Sequence, residues 1–154
     1  MELFHTSPNE IKEINGAGRF GEFLFFSYEP YKMSAGDVIT YKIEIGKEEI
    51  ISAGRLFYHD DAEKLDSLVA ELASKLGCDT ETAESLIEET ADIYDLADEL
   101  GIEREDIGEI SWDIQHFTAR AAKALGYRGA IVSDELGSSV MIDMAGHESE
   151  LIKV

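Results

Sequence analysis

Eight residues, NGAGRFGE at positions 15–22, decide between two folds for this chain. Gly16, Gly18 and Gly21 have the spacing G-x-G-x-x-G, which marks the first turn of a Rossmann fold. In that fold a strand precedes the glycines and a helix follows them, so that a bound pyrophosphate meets the helix N-terminus. The residues on either side of the loop therefore show whether the spacing has that meaning here.

The flanking segments stand in the opposite order. Ser7 suits a helix N-cap, Pro8 the first helical position and Glu10 the third residue after the cap. These residues predict a helix before the glycines. After them, Phe23–Ser27 is a run of apolar and aromatic residues that is typical of a buried strand. Because a helix precedes the loop and a strand follows it, the sequence argues against a Rossmann fold.

Further strands are predicted in both outer parts of the chain. They are expected at 3–7, 39–45, 50–51, 56–58, 128–133, 138–144 and 150–154. The segment 39–45 shows the clearest alternation, with every second residue apolar, and so predicts a half-buried strand. Asp134, Glu135, Leu136 and Gly137 form the predicted turn between the strands at 128–133 and 138–144.

The middle of the chain has a helical period instead. One helix ends at Gly77, a second starts after Asp79 or Thr80 and extends to Tyr94, and a third ends at Gly126. Their apolar faces contain Leu65, Leu68, Val69, Leu72 and Leu76, then Ala83, Leu86 and Ile87, then Ile107, Ile110, Ile114, Phe117, Ala121 and Leu125. This succession predicts an α+β fold. We expect a single domain over 1–154, with a sheet from 1–58 and 127–154 and an acidic helical block at 60–126.

The net charge of −20 argues against direct binding to nucleic acid or to an anionic membrane. Residues 60–113 hold 19 acidic and three basic side chains, a net of −16. This acidic segment has two interpretations. Its charges either lie on solvated helix faces or form a surface that meets a basic partner.

A cytoplasmic protein is expected, because no signal-peptide pattern or membrane-spanning apolar run is present and Cys78 is the single cysteine. No metal site is expected either, since no Cys/His cluster occurs and the spacing of the remaining histidines does not suggest ligation.

Three separated segments resemble the ADP-ribosyltransferase superfamily, whose members use NAD as the ADP-ribose donor. They are the first strand LFHTS, the stretch GRFGEFLFFSYEPY, and the late segment LGYRGAIVSDELGSSVMIDM. Within the superfamily the chain is most similar to phage-encoded anti-CRISPR enzymes that act on the type I-F surveillance complex. ELFH at the start, Trp112 with Gln115, and the turn DELG indicate this narrower likeness.

The resemblance implies roles for the donor-binding residues. His5 corresponds to the histidine that bonds the adenosine ribose, and the backbone of Thr6 and Ser7 to the part that holds the nicotinamide carboxamide. Thr6 stands where many members have glycine. Other implied contacts, which stack on or frame the nicotinamide, are Phe26, Ser27, Tyr28 and Tyr31. Arg19 is the one basic residue of the glycine loop and is a candidate for the pyrophosphate.

Asp134 is the first candidate for the acidic catalytic residue and Glu135 the second. Cleavage of the nicotinamide–ribose bond passes through an oxocarbenium-like state, which a nearby carboxylate stabilises. The strand that follows begins with Ser138 and Ser139, where many members have an acid. SDEL also lacks the Glu-x-Glu or Gln-x-Glu motif of arginine-directed enzymes.

The resemblance implies a mono-ADP-ribosyltransferase of a bacterial host cytoplasm, with a protein acceptor in a Cas subunit of a type I-F complex. A basic, DNA-binding target would also suit the acidic block. Three alternatives remain open. They are an acidic nucleic-acid mimic without catalysis, a phage or toxin transferase with another target, and a degenerate member that binds NAD without using it.

Overall fold

The computed structural model describes residues 1–7, 11, 22–29, 39–134 and 137–154. The predicted N-terminal helix and the glycine loop at 16–21 lie outside these residues. Seven strands are described: β1 (Glu2–Ser7), β2 (Phe23–Phe26), β3 (Ile39–Glu44), β4 (Ile50–Ser52), β5 (Gly129–Asp134), β6 (Gly137–Asp143) and β7 (Ile152–Lys153). Four α-helices lie between β4 and β5: α1 (Asp66–Leu76), α2 (Thr80–Ile87), α3 (Ile93–Leu100) and α4 (Ile107–Ala124). The α+β class is confirmed.

The strands form two sheets. One has three antiparallel strands in the order β1-β3-β7, and the other has four in the order β2-β6-β5-β4. In the second sheet β4 and β5 are parallel, and the other pairs are antiparallel. The sheets touch where Phe4 and Ser27 exchange backbone hydrogen bonds of 2.9 and 2.8 Å. This bridge brings the N-terminal strand against the end of β2.

The four-stranded sheet is covered on both faces. Met141 faces the larger apolar cluster, which contains the helices, whereas Val140 and Ile142 face the smaller cluster shared with Leu3 and Ile43 of the other sheet. Val140, Met141 and Ile142, in the middle of β6, have no exposed surface. An uninterrupted apolar run is what a strand between two layers requires, because successive side chains point to opposite faces.

Helix boundaries follow local capping signals. Asp79 Oδ1 accepts a 2.7 Å bond from the Thr82 amide at the start of α2, and Asp92 caps α3 in the same way through the Tyr94 amide. Gly77 and Gly101 end α1 and α3 in the left-handed conformation that favours glycine.

Three local predictions were wrong. The segment 56–58 belongs to a 3-10 helix, Ala53–Tyr58, instead of a strand. The helix expected to extend from Asp79 to Tyr94 is two helices, because Glu89 adopts a left-handed backbone and Asp92 caps a new helix. The C-terminal strand joins β3 in the three-stranded sheet, so the single predicted sheet is two. None of the helices in the described part of the chain combines the length and apolar character needed to cross a bilayer.

Candidate active site

A cavity of about 1100 Å³ opens beside the bridge between the two sheets. We call it the β1–β2 cavity. One wall is formed by residues 4–6 and 25–27 of the first two strands, and the opposite wall by the α2–α3 connection and the N-terminal half of α4. Ser133 of β5 and Ser139 of β6 complete it. Two sheets and three helices therefore contribute to one space, which is larger than the roughly 300–1,000 Å³ of typical small-ligand pockets.

His5 is held in one orientation at this cavity. Its Nδ1 lies 2.6 Å from the carbonyl oxygen of Phe25, and its ring packs against Phe26 with 5.6 Å between ring centroids. Burial lowers the pKa of His5, and the Phe25 carbonyl opposes that effect only in part. The imidazole is therefore neutral at pH 7. Because a carbonyl can only accept, Nδ1 holds the proton and Nε2 is left as an acceptor.

Thr6, the next residue, has a hydroxyl that makes no hydrogen bond within the described part of the chain. Its Oγ1 is buried and has no hydrogen-bond partner among the described residues, although Thr6 lines the cavity. A buried hydroxyl without a partner costs free energy, about 1–3 kcal/mol by mutational measurements. Because Oγ1 has almost no accessible surface, a polar ligand in the cavity would remove that cost only after the Thr6 side chain rotates or the wall around it moves.

Phe26 and Ser27 form the β2 side of the wall. Phe26 is 1% exposed and belongs to the smaller apolar cluster, so it is both core and cavity wall. The Ser27 hydroxyl donates to the Glu29 carbonyl at 2.5 Å and lies 3.4 Å from the Phe4 carbonyl. The contact with Phe4, together with the backbone bonds between Phe4 and Ser27, ties the end of β2 to β1.

The other sequence candidates are placed differently. Ser7 is the last residue of β1 and is not among the residues that line the cavity. Tyr28 lines a second cavity of about 800 Å³, which also includes Lys47, Arg55 and Tyr58. We call it the Arg55 cavity. Asp134 is the last residue of β5 and pairs with Gly137. Arg19, Tyr31 and Glu135 lie outside the described residues.

The structure adds cavity residues that the site prediction omitted. Trp112 and Gln115, which supported the family resemblance, lie one helical turn apart on α4 and both line the cavity. Trp112 and Tyr94 are 51% and 60% exposed, which places them at its mouth. Asp92 also lines this cavity, and its role as N-cap of α3 was a signal available in the sequence.

Glu89 is the least expected of these residues. Both oxygens of its carboxylate accept from the Ser133 amide at 3.0 Å, across 44 residues of sequence. Its φ of 62° is unusual for a residue with a side chain and costs about 1–2 kcal/mol. No residue type or spacing in the sequence predicts this conformation.

The described lining of the cavity combines acidic and aromatic side chains. Glu89 and Asp92 contribute carboxylates, whereas no lysine or arginine is among the described residues that line it. A ligand with several hydroxyl groups fits the neutral His5 and the Thr6 hydroxyl. An anionic part of the same ligand would need a cation from elsewhere in the chain.

Comparison with known proteins shows the family of this chain. The model of the family "Anti-CRISPR Type I-F ADP-ribosyltransferase AcrIF11" matches residues 1–148. A solved structure described as the crystal structure of an anti-CRISPR protein is similar with a TM-score of 0.59 and 26% sequence identity, over 92% of this chain and 88% of that one. No curated protein sequence matches. The family match spans nearly the whole chain, and this protein therefore belongs to the AcrIF11 family of type I-F anti-CRISPR ADP-ribosyltransferases.

Proposed function

We propose that the β1–β2 cavity binds NAD and that the turn beginning at Asp134 supplies the catalytic carboxylate. The observation that carries the proposal is the pair of neighbouring groups on β1. His5 is neutral with an acceptor at Nε2, and the buried Thr6 hydroxyl lacks a partner among the residues that the structure describes. Ribose hydroxyls and a carboxamide are partners of the right chemistry for both groups.

The remaining proposed contacts with NAD rest on the family resemblance and, for some residues, on the cavity lining. Phe26 and Ser27 line the cavity and are the candidates that frame the nicotinamide, and Tyr31 is a further candidate from the resemblance alone. The backbone of Thr6 and Ser7 is the candidate for the carboxamide. Since the described cavity wall has no lysine or arginine, the pyrophosphate needs a cation such as Arg19. Tyr28 is a weaker candidate because it lines the Arg55 cavity.

Asp134 is the proposed group that stabilises the reacting ribose, with Glu135 as the second choice. Asp134 ends β5, directly after the cavity residue Ser133. As the bond between nicotinamide and ribose breaks, positive charge develops on the ribose ring, and a carboxylate held nearby lowers the barrier. Removing one such electrostatic group typically costs about 10²–10³-fold in kcat.

The proposed acceptor is a side chain on a Cas subunit of the type I-F complex in the cytoplasm of a bacterial host. The net charge of −16 between residues 60 and 113 supports this, because a subunit that grips DNA presents a basic surface. Raising the salt from about 0.05 to 0.3 M should slow association with the complex. An association rate that does not depend on salt would contradict this role for the charge.

The proposal is tested by incubating the protein with labelled NAD and a lysate containing a type I-F complex. Three proteins are compared: the natural chain, Asp134→Asn, and Asp98→Asn as a control that removes one charge from an exposed position on α3. We expect label on one Cas band with the natural protein and with the control, and at least about 100-fold less with Asp134→Asn. Mass spectrometry of the band then identifies the subunit and the modified residue.

Two results would contradict parts of the proposal. Equal labelling by Asp134→Asn would remove Asp134 from the catalytic role and make Glu135→Gln the next variant to measure. Label on a protein outside the type I-F complex would refute the proposed target while leaving the NAD site intact.

A further inference from the structure

The four α-helices end in the same left-handed way, with one difference in residue type. Gly77, Gly101 and Gly126, which follow α1, α3 and α4, have φ values of 68°, 69° and 95°. At the end of α2 the corresponding residue is Glu89, with φ of 62°. Glycine is preferred here because it has no side chain to clash with the backbone. Glu89 is thus the exception among the described helix ends.

The backbone at Glu89 is nevertheless a complete helix-ending motif. The Thr90 amide donates to the Ser85 carbonyl at 2.9 Å, and the Glu89 amide donates to the Leu86 carbonyl at 3.2 Å. Glycine would satisfy this motif with less strain. A strained residue that a better one could replace points to a use for its side chain.

That use is visible at Ser133. β4 ends at Ser52, whose partner is Ile131, so Ser133 extends two residues beyond the neighbouring strand. Its amide donates to both oxygens of Glu89 at 3.0 Å, and its carbonyl accepts from Gln115 Nε2 at 3.1 Å. Side chains from two helical segments therefore take the place of the missing strand.

Both partners of Ser133 are set by α4. The buried Thr118 hydroxyl donates to the Ile87 carbonyl at 2.7 Å, which ties the end of α2 to α4 two residues before Glu89. Gln115 lies one turn earlier on α4. The amide and the carbonyl of Ser133 are thus held by side chains from the helical part of the chain.

We propose that Glu89 is a positioning residue for ADP-ribosyl transfer, which holds the backbone of Ser133 and through it the neighbouring Asp134. This rests on the proposed function in that it takes the turn beginning at Asp134 to be catalytic. Gln115 is the supporting partner, which donates to the carbonyl of the same residue. The strained backbone at Glu89 is retained because a glycine could not bond to Ser133.

The test compares Glu89→Gly, Glu89→Gln and Gly101→Glu, using labelled NAD and purified type I-F complex. Glu89→Gly removes the bond to Ser133 and also relieves the strain. We expect kcat to fall about 10-fold or more, the Kd for NAD by calorimetry to change by less than about two-fold, and the Tm to stay within about 2 °C. Glu89→Gln keeps an oxygen acceptor for the amide and should retain kcat within about three-fold.

Gly101→Glu is the matched control, because it introduces the same strain at a helix end with nothing within 4 Å of the new Cβ. It should lower the Tm by about 2–4 °C and leave kcat unchanged. Amide hydrogen exchange gives a reading that does not depend on activity. Exchange of the Ser133 amide should accelerate in Glu89→Gly and remain as in the natural protein in Gly101→Glu.

Three results would overturn the proposal. In the first, Glu89→Gly retains full kcat, whatever its Tm. In the second, Glu89→Gln is as inactive as Glu89→Gly, which would assign the effect to the negative charge. In the third, the Kd for NAD rises in step with the loss of activity, which would make Glu89 a ligand contact. Asp134→Asn separates this test from the proposed function, since an active Asp134→Asn removes Asp134 from the catalytic role and leaves the Ser133 exchange result standing.

Discussion

The two cavities described above have similar volumes, about 1100 and 800 Å³, but they are built differently. The β1–β2 cavity has one wall of strands and one of helices, with a neutral histidine and a buried hydroxyl on the strand wall. The Arg55 cavity is bordered by exposed side chains of a 3-10 helix and its surroundings, among them Arg55 and Tyr58, which is 85% exposed.

Volume alone therefore does not identify a ligand site. Polar groups in the first cavity are oriented before any ligand arrives, because strand hydrogen bonds and core packing hold them. Exposed side chains in the second cavity would have to be ordered on binding, which costs about 0.5–1.5 kcal/mol for each long side chain. We therefore expect substitutions in the two cavities to have unequal effects.

The largest expected contrast is in stability. Phe26 is 1% exposed and joins the cavity wall to the core, so Phe26→Ala should lower the free energy of unfolding by about 3–5 kcal/mol. Tyr58→Ala, at an exposed position of the Arg55 cavity, should change it by no more than about 0.5 kcal/mol. Urea denaturation of both variants measures this, and equal losses would refute the contrast.

The next largest effect concerns NAD affinity. Thr6→Val keeps the shape of the side chain and removes the hydroxyl that has no partner among the described residues. If the hydroxyl bonds NAD, the KM for NAD should rise about 3- to 10-fold with kcat nearly unchanged. Thr6→Ser keeps a hydroxyl, so its KM for NAD should stay close to the natural value. A Thr6→Val enzyme with an unchanged KM would show that the hydroxyl is not a ligand contact.

A smaller effect is expected in the pH dependence of stability. Because burial lowers the pKa of His5 in the folded protein, the unfolded chain takes up a proton there at higher pH. Stability should therefore fall as the pH decreases through about 6.5 towards the lower folded pKa. His5→Asn can still donate to Phe25 but does not titrate. Its Tm should drop less between pH 7.5 and 5.5, and equal drops would contradict the expected role of His5.

The smallest effects should come from the Arg55 cavity. Arg55→Gln and Tyr28→Ala should each leave the KM for NAD within about two-fold of the natural value, since neither residue lines the β1–β2 cavity. Steady-state kinetics at saturating acceptor measure this. A KM raised as much as by Thr6→Val would show that the dinucleotide extends from one cavity into the other.

Much of the fold was predictable because the signals are local. Alternation predicted β3, the apolar run at 23–27 predicted β2, and Gly126 predicted the end of α4. The split between α2 and α3 was missed because Glu89 has no preference for the left-handed conformation. Trp112 and Gln115 on α4 contribute to the family resemblance. Their place in the cavity could not be predicted from the sequence, because it depends on tertiary contacts.

The residues of the chain alone specified the α+β class, the acidic middle segment and the family, because hydrophobic period, charge and short motifs are properties of neighbouring residues. The fold added the bridge from Phe4 to Ser27, the Thr6 hydroxyl without a partner in the described ranges, and the bonds of Glu89 to Ser133. These features depend on groups 23 to 44 residues apart, or on the whole surroundings of one hydroxyl. Local preferences carry no information about such distant pairs, so the site took shape only once the sheets and helices had packed.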